Sequence, residues 1–259
     1  MIRPQGRLLP KAADGTLVND TSAAHIPLAL QPGVQACIAA YQEGLGDALH
    51  SVYLRGSVAR GGFVPSLSDL DTWALSHGGS ASGPRVVTAP WEEASERLAA
   101  ALPLVSQVEL GHTPLVRLAQ PDAGFARMLL ATTGLCVFGP DHIPALGRFR
   151  PGPDTLGDAR HVRESVQELL CRPPADTADA CRWICKAIVR AGLESTAHRH
   201  GQYTRDLYPC WALFAAFHPE QAACMHRVLG WAITPLTDPA ALHAALVEVR
   251  SELLPLVAV

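Results

Sequence analysis

The order of helix and strand patterns is the feature that most constrains the fold of this chain. From about residue 33 to residue 138, segments with apolar residues at helical spacing alternate with short runs of strand-forming residues. Proline and glycine interrupt this alternation over 147–157, and the residues from 158 onward show helical periodicity without a convincing strand. The patterns predict helices over 33–49, 90–102 and 124–132, and strands over 51–54, 70–75, 104–110 and 135–138.

This change of pattern predicts two domains of different class. We expect an α/β (α+β) domain with a small mixed sheet over residues 1–150, and an all-α helical bundle over residues 151–259. The first thirty residues are irregular and are interpreted as a lead-in. Small and polar residues over 76–84 indicate a flexible loop.

Composition and charge exclude several classes of protein. With 48% hydrophobic and 17% charged residues, the chain is typical of a soluble globular protein. No segment approaches the run of about 20 apolar residues that a membrane-spanning helix needs, and the start lacks the apolar stretch of a secretory signal, so we expect a cytoplasmic protein. The net charge of -3 would repel a polyanion, which argues against a nucleic-acid polymerase.

One segment carries a pattern suited to phosphate chemistry. A predicted strand ends at Gly56-Ser57, where glycine leaves backbone N–H groups open to a phosphate and serine adds a donor. Twelve residues separate Gly56 from Asp69, which is followed by the apolar Leu70 and by Asp71. Because side chains alternate along a strand, both acids point to one face.

Two neighbouring carboxylates repel each other unless a cation lies between them. Mg²⁺ favours carboxylates together with substrate phosphates, so Asp69 and Asp71 are candidate ligands, with two ions expected. Glu109, on the next predicted strand, could join them as a metal ligand or as the general base for an acceptor hydroxyl; we favour the base. Taken singly, Asp69 could cap a turn and Glu109 could be a surface residue.

These residues resemble the nucleotidyltransferase superfamily that includes DNA polymerase beta, especially its aminoglycoside-adenylylating and minimal nucleotidyltransferase branches. The family pattern maps onto Gly56, Ser57, Asp69, Asp71 and Glu109, within residues 51–110. The resemblance implies a magnesium-dependent enzyme that uses a nucleoside triphosphate, with ATP as the substrate.

The second half resembles the C-terminal helical bundle of the aminoglycoside-modifying members, although less specifically. The resemblance implies Lys186 as a ligand of the triphosphate, and Tyr203 and Arg205 as weaker candidates for nucleotide binding. On a helix, a lysine such as Lys186 is more often simply solvated.

The sequence leaves the acceptor open. The leading hypothesis is adenylyl transfer to the hydroxyl of a small molecule, which could be an aminoglycoside-like antibiotic and would then confer resistance. The alternatives are adenylylation of a protein, as in antitoxin members of the family, and an inactive nucleotide-binding regulator. No sequence feature decides the nucleotide preference or the oligomeric state, and neither a membrane nor a nucleic acid is an expected partner.

Overall fold

A computed structural model describes residues 4–78 and 89–259, with only the backbone described at residues 89 and 90. Its contacts divide the chain into two compact units. The first is Val18–Phe149, and the second combines Arg150–Val259 with the chain up to Leu17. Most of the segment 76–84, where the sequence predicts a loop, lies outside the described residues.

The first unit is built on a mixed four-stranded sheet with the order β3-β2-β1-β4. Strand β1 pairs antiparallel with β2 and with β4, whereas β2 and β3 run parallel. The small mixed sheet, followed along the chain by helices, confirms the predicted α+β class. The elements of this unit are α1 (Gln31–Leu45), β1 (Leu49–Arg55), α2 (Gly56–Arg60), β2 (Leu70–Ser76), α3 (Ala89–Ala101), β3 (Val108–Pro114), α4 (Leu115–Leu118), α5 (Gly124–Thr133) and β4 (Leu135–Phe138).

One face of the sheet forms a hydrophobic core with α1 and α3. Alternate residues of β1, β2 and β3 supply this core, including Val52, Leu54, Leu70, Ala74 and Leu110. Apolar side chains of α1 and α3 pack against them and exclude water from this face. The residues between them in sequence therefore point to the opposite face, where the candidate site lies.

The third strand begins later than the sequence predicts. The expected strand over 104–110 is wrong at its start, because β3 spans Val108–Pro114. The chain turns after α3 instead, with the backbone N–H of Val105 donating to the carbonyl of Leu102 at 3.1 Å. A proline at position 103 suits such a turn, since it has no N–H to give to a strand ladder.

The second unit is helical, and the described residues 150–259 contain no strand. Its long helix α7 packs against α6, α8, α9 and α11. Close approach to α8 and α9 depends on Gly192, where an added methyl group would press on Phe214 and Met225. The helices are α6 (Asp158–Cys171), α7 (Thr177–His200), α8 (Leu207–Phe217), α9 (Ala222–Ile233), α10 (Pro239–Glu252) and α11 (Leu254–Val257).

The N-terminal segment lies on this helical unit, although the sequence places it in the first domain of 1–150. The backbone N–H of Leu9 donates to the carbonyl of Tyr203 at 2.9 Å. Lys11 Nζ donates to the carbonyl of Gly201 at 2.7 Å. Residues 4–17 are thus part of the second unit, held by hydrogen bonds that span most of the chain.

In the part of the chain that the structure describes, no helix has the length and apolar character needed to cross a membrane.

Candidate active site

The Gly56-Ser57 turn, where β1 passes into α2, brings the backbone of Gly56 against the carboxylate of Asp71. Gly56 has φ of +69°, a left-handed conformation that costs other residues roughly 1–2 kcal/mol. A methyl group added to Gly56 would overlap Oδ2 of Asp71. Glycine is therefore required here for two reasons, the backbone conformation and the close approach of the acid.

Helix α2 is fixed at its C-terminal end by contacts with the chain that precedes α1. Arg60 Nε donates to Asp20 Oδ1 at 2.8 Å in a buried ion pair. Nδ1 of His25 lies 3.0 Å from the carbonyl oxygen of Ala59. The helix ends at Gly61 in the left-handed conformation, as is common for helix C-termini. These contacts hold the short helix and the Gly56-Ser57 turn in place.

A row of charged residues crosses three neighbouring strands beside this turn. Arg55 of β1 is the antiparallel partner of Asp71, and Asp71 is the parallel partner of Glu109 in β3. Partners on adjacent strands lie about 4.8 Å apart and point to the same face. All three are half-buried, so the row is accessible to solvent at the edge of the sheet. The structure thus places Glu109 beside Asp71, which the sequence analysis left open.

Asp69 lies just before β2 and is held by the chain that leads into β3. Ser106 Oγ donates to Asp69 Oδ1 at 2.6 Å. The backbone N–H of Ser106 also donates to the carbonyl of Ser68 at 3.0 Å. Ser106 thereby fixes the carboxylate of Asp69 near the strand that carries Asp71, a role the sequence did not indicate.

Arg55 is a further member of the site that the sequence analysis missed. Its guanidinium lies over the ring of Trp73, with Cζ 4.8 Å from the ring centroid. Trp73 is 5% exposed, and its Nε1 donates to Thr113 Oγ1 at 3.0 Å, which fixes the ring. A cation on an aromatic face gains about 1 kcal/mol. The available signal was the arginine directly before Gly56, at the end of an otherwise apolar strand.

The candidate nucleotide ligands of the second half have different environments. Lys186 is half-buried within α7, and its role as a triphosphate ligand stays a prediction. Tyr203 is fully buried, and its hydroxyl donates to Glu194 Oε1 at 3.4 Å. Arg205 Nη1 lies 2.8 Å from Asp158 Oδ2 and 3.7 Å from Glu194 Oε1. Because Tyr203 and Arg205 have partners inside the helical unit, we leave them out of the nucleotide site proposed below.

Burial changes the pKa of Glu194, the acid of this internal network. Desolvation raises the pKa of the Glu194 carboxyl to about 8; Asp158 also raises it, while Arg205 opposes the rise. The backbone N–H of Ala159 donates to Glu194 Oε2 at 2.9 Å. Burial also raises the pKa of Tyr203 well above its ordinary value. The network connects the start of α6 with α7 and the loop that follows α7, and we interpret it as structural.

Within the described residues, Cys224, Glu248 and Glu252 place three potential metal-ligand atoms within 4.8 Å of one another. Arg227 forms an ion pair with Glu248 at this cluster, so a cation is already present. We assign no metal to this group.

Comparisons with known proteins find solved structures that are similar at low sequence identity. No family model and no curated protein matches the chain. The structure of spectinomycin adenyltransferase AAD(9) from Enterococcus faecialis, with ATP and spectinomycin, matches 83% of this chain and 98% of its own at 13% identity and a TM-score of 0.47.

Two toxin-antitoxin structures also match part of the chain. One, with AMP-PNP, covers 43% of this chain and 77% of its own at 22% identity and a TM-score of 0.32. The other, an MntA-HpeT mutant, covers 44% and 78% at 18% identity and a TM-score of 0.28. At these values the matches assign neither an activity nor an acceptor. The chain is similar in structure, at low identity, to a solved adenyltransferase and to two solved toxin-antitoxin proteins.

Proposed function

We propose that this protein is a magnesium-dependent nucleotidyltransferase that transfers AMP from ATP to a hydroxyl group of a small-molecule acceptor. The observation that carries the proposal is the meeting of Asp71 with the Gly56-Ser57 turn and with Glu109 at one edge of the sheet. A phosphate-binding turn, metal-binding acids and a base are the parts that such a reaction needs within reach of one another.

The donor set fits magnesium. Asp69 and Asp71 offer hard carboxylate oxygens, and both are half-buried, so a hydrated ion carrying a phosphate can reach them. The absent Cβ at Gly56 keeps the turn close to Asp71 without displacing its carboxylate. When bound, Mg²⁺ ions would neutralise the negative charge that builds up on the phosphates during transfer.

The turn and Glu109 have separate tasks in this proposal. The backbone N–H groups at the start of α2 and the hydroxyl of Ser57 bind phosphate oxygens of ATP. The carboxylate of Glu109 accepts the proton of the acceptor hydroxyl, whose oxygen then attacks the α-phosphorus, and pyrophosphate leaves. In the alternative role, Glu109 would hold a metal ion together with Asp71.

Arg55 supports this arrangement from the side opposite Glu109. It is the cross-strand partner of Asp71, and the indole of Trp73 holds its guanidinium on the face that carries the acids. A fixed positive charge beside a row of carboxylates lowers their mutual repulsion before the metal binds. We therefore assign Arg55 a positioning role.

The acceptor is proposed as a small hydroxylated molecule. The net charge of -3 favours a cationic acceptor over a polyanion. An aminoglycoside-like antibiotic satisfies that condition, and resistance would be the consequence. Spectinomycin, which is named for one structural neighbour, belongs in the first acceptor screen.

The proposal is tested by incubating the purified full-length chain with ATP labelled at the α-phosphate, with and without Mg²⁺. The acceptors are spectinomycin, an aminoglycoside panel and a cell extract separated into small-molecule and protein fractions. We expect magnesium-dependent transfer of label to a small molecule. Label on protein would establish a protein acceptor instead. Absence of label from every fraction would contradict the proposed transferase activity.

A further inference from the structure

We propose that His50, His77 and His142 form a binding site for a zinc-type divalent cation, separate from the carboxylates of the candidate active site. The three histidines come from parts of the chain that are far apart in sequence. Imidazole nitrogen suits Zn²⁺, Ni²⁺ and Cu²⁺, whereas Mg²⁺ prefers oxygen. The ligand class therefore differs from that of the proposed magnesium site.

The sheet topology brings these residues together. His50 lies at the start of β1, and its neighbour Leu49 is the antiparallel partner of Ser76, so His77 follows β2 at the same edge. The backbone N–H of His77 donates to the carbonyl of Ala48 at 2.7 Å, which fixes this end of the ladder. Antiparallel pairing of β4 with β1 returns the chain to the same edge before His142.

The ring of His50 is already close to each of the other two rings. The ring centroids of His50 and His77 are 4.8 Å apart, and those of His50 and His142 are 5.8 Å apart. Two imidazoles that share one zinc ion, with bonds of about 2.1 Å, have centroids roughly 5 Å apart. His77 is exposed and sits just beyond a strand end, so its ring can rotate to complete the ligand set.

A neighbouring side chain orients the ring of His50. Nδ1 of His50 lies 2.8 Å from Oγ of Ser51, which orients the ring and leaves Nε2 for a metal.

This edge is the opposite end of the sheet from the carboxylates. His50 and Arg55 lie five residues apart on β1, which corresponds to about 17 Å along a strand. A single ion cannot contact both groups. The two sites can therefore be tested independently.

The full-length protein is first treated with EDTA and desalted, and ZnCl₂ is then titrated into it in a calorimeter. We expect wild type to bind zinc, and His50→Gln and His142→Gln each to raise the Kd by about tenfold or more. His77→Gln should also raise the Kd by about tenfold or more. Because His77 is exposed, this substitution carries the least risk to folding. The matched control is His243→Gln, on the exposed surface of α10, which should leave the zinc affinity unchanged.

The variant Asp69→Asn/Asp71→Asn distinguishes the two sites, because carboxylates also bind zinc. Retained tight binding in this variant, with loss in the three histidine variants, supports the proposal. Electron paramagnetic resonance of the Cu²⁺ form should also show nitrogen coupling that the histidine variants reduce. Zinc binding that survives all three histidine substitutions, or its absence from wild type, would overturn the proposal.

Discussion

Two groups of acids, one in each unit of this protein, differ in what surrounds them. At the sheet edge, Asp71 and Glu109 are half-buried, and a glycine turn lies against the first of them. In the helical unit, Glu194 is 1% exposed and meets a tyrosine hydroxyl, an arginine and a backbone N–H. The first group is partly exposed to solvent, whereas the second is enclosed within the helical unit.

The contrast shows why residue type alone does not identify a site. Tyr203 and Arg205 have the chemistry to bind a nucleotide, yet the fold uses them to satisfy Glu194 and Asp158 inside the unit. A buried acid needs such partners, because an isolated charge away from water is costly. We therefore expect substitutions at the sheet edge to affect catalysis, and substitutions in the buried network to affect stability.

The largest expected effect is that of Asp71→Asn. The substitution keeps the shape of the side chain and removes the charge that would hold a metal ion, which is worth several kcal/mol in the transition state. We expect a loss of roughly 1,000-fold or more in the rate of AMP transfer, measured with labelled ATP. Asp47→Asn, at an exposed position of the same unit, is the control and should retain full activity. Full activity in Asp71→Asn would show that this acid does not take part in catalysis.

A smaller loss is expected for Glu109→Gln, and its form decides the role of the residue. If Glu109 is the general base, kcat falls about 100-fold, while the affinity for ATP with Mg²⁺ stays unchanged. Steady-state kinetics and calorimetry on the same preparation separate the two quantities. A parallel loss of ATP affinity would instead identify Glu109 as a metal ligand.

The glycine turn is tested by a matched pair of alanine substitutions. Gly56→Ala and Gly46→Ala both place a side chain at positive φ, but only the first would collide with Asp71, since nothing lies within 4 Å of a methyl group at Gly46. We expect each to lower the free energy of unfolding by at least about 1 kcal/mol. Calorimetry should show an ATP affinity at least about tenfold weaker in Gly56→Ala alone. Equal ATP affinities in the two variants would argue against a phosphate-binding turn.

The smallest effect on AMP transfer is expected in the buried network, where the effect appears instead as a pH dependence of the free energy of unfolding. Burial raises the folded-state pKa of Glu194 above its unfolded value, so between about pH 5 and pH 8 the folded state binds more protons than the unfolded state. Its stability therefore falls as pH rises through this window, by up to about 1.4 kcal/mol per pH unit.

The variant Glu194→Gln cannot ionise at this position and should lack that decline, so its free energy of unfolding should improve relative to wild type as pH rises. Urea unfolding at several pH values measures the difference, and AMP transfer serves as the control because it should change little. A constant difference between the two proteins across this range would contradict the raised pKa.

Local patterns predicted much of the sheet unit. The strand over Leu135–Phe138 has the bounds that the sequence predicts, and the alternation around Asp71 placed that acid opposite the apolar core. These features depend on short-range periodicity, which the sequence displays directly.

The features that the sequence could not provide depend on long-range pairing. Arg55 joins the site only because β1 runs antiparallel to β2, which no local pattern specifies. Tyr203 meets Glu194 only when the loop after α7 folds back on that helix. Likewise, Leu9 reaches the helical unit through one backbone hydrogen bond to a residue almost two hundred positions away.

The most direct test of the central claim is calorimetric titration of ATP, GTP, CTP and UTP with Mg²⁺ into wild type and Asp69→Asn/Asp71→Asn. We expect magnesium-dependent binding of ATP by wild type and its loss in the double variant, with both proteins folded by circular dichroism. Folded wild-type protein that binds none of the four nucleotides would contradict a nucleotidyltransferase site at this edge of the sheet.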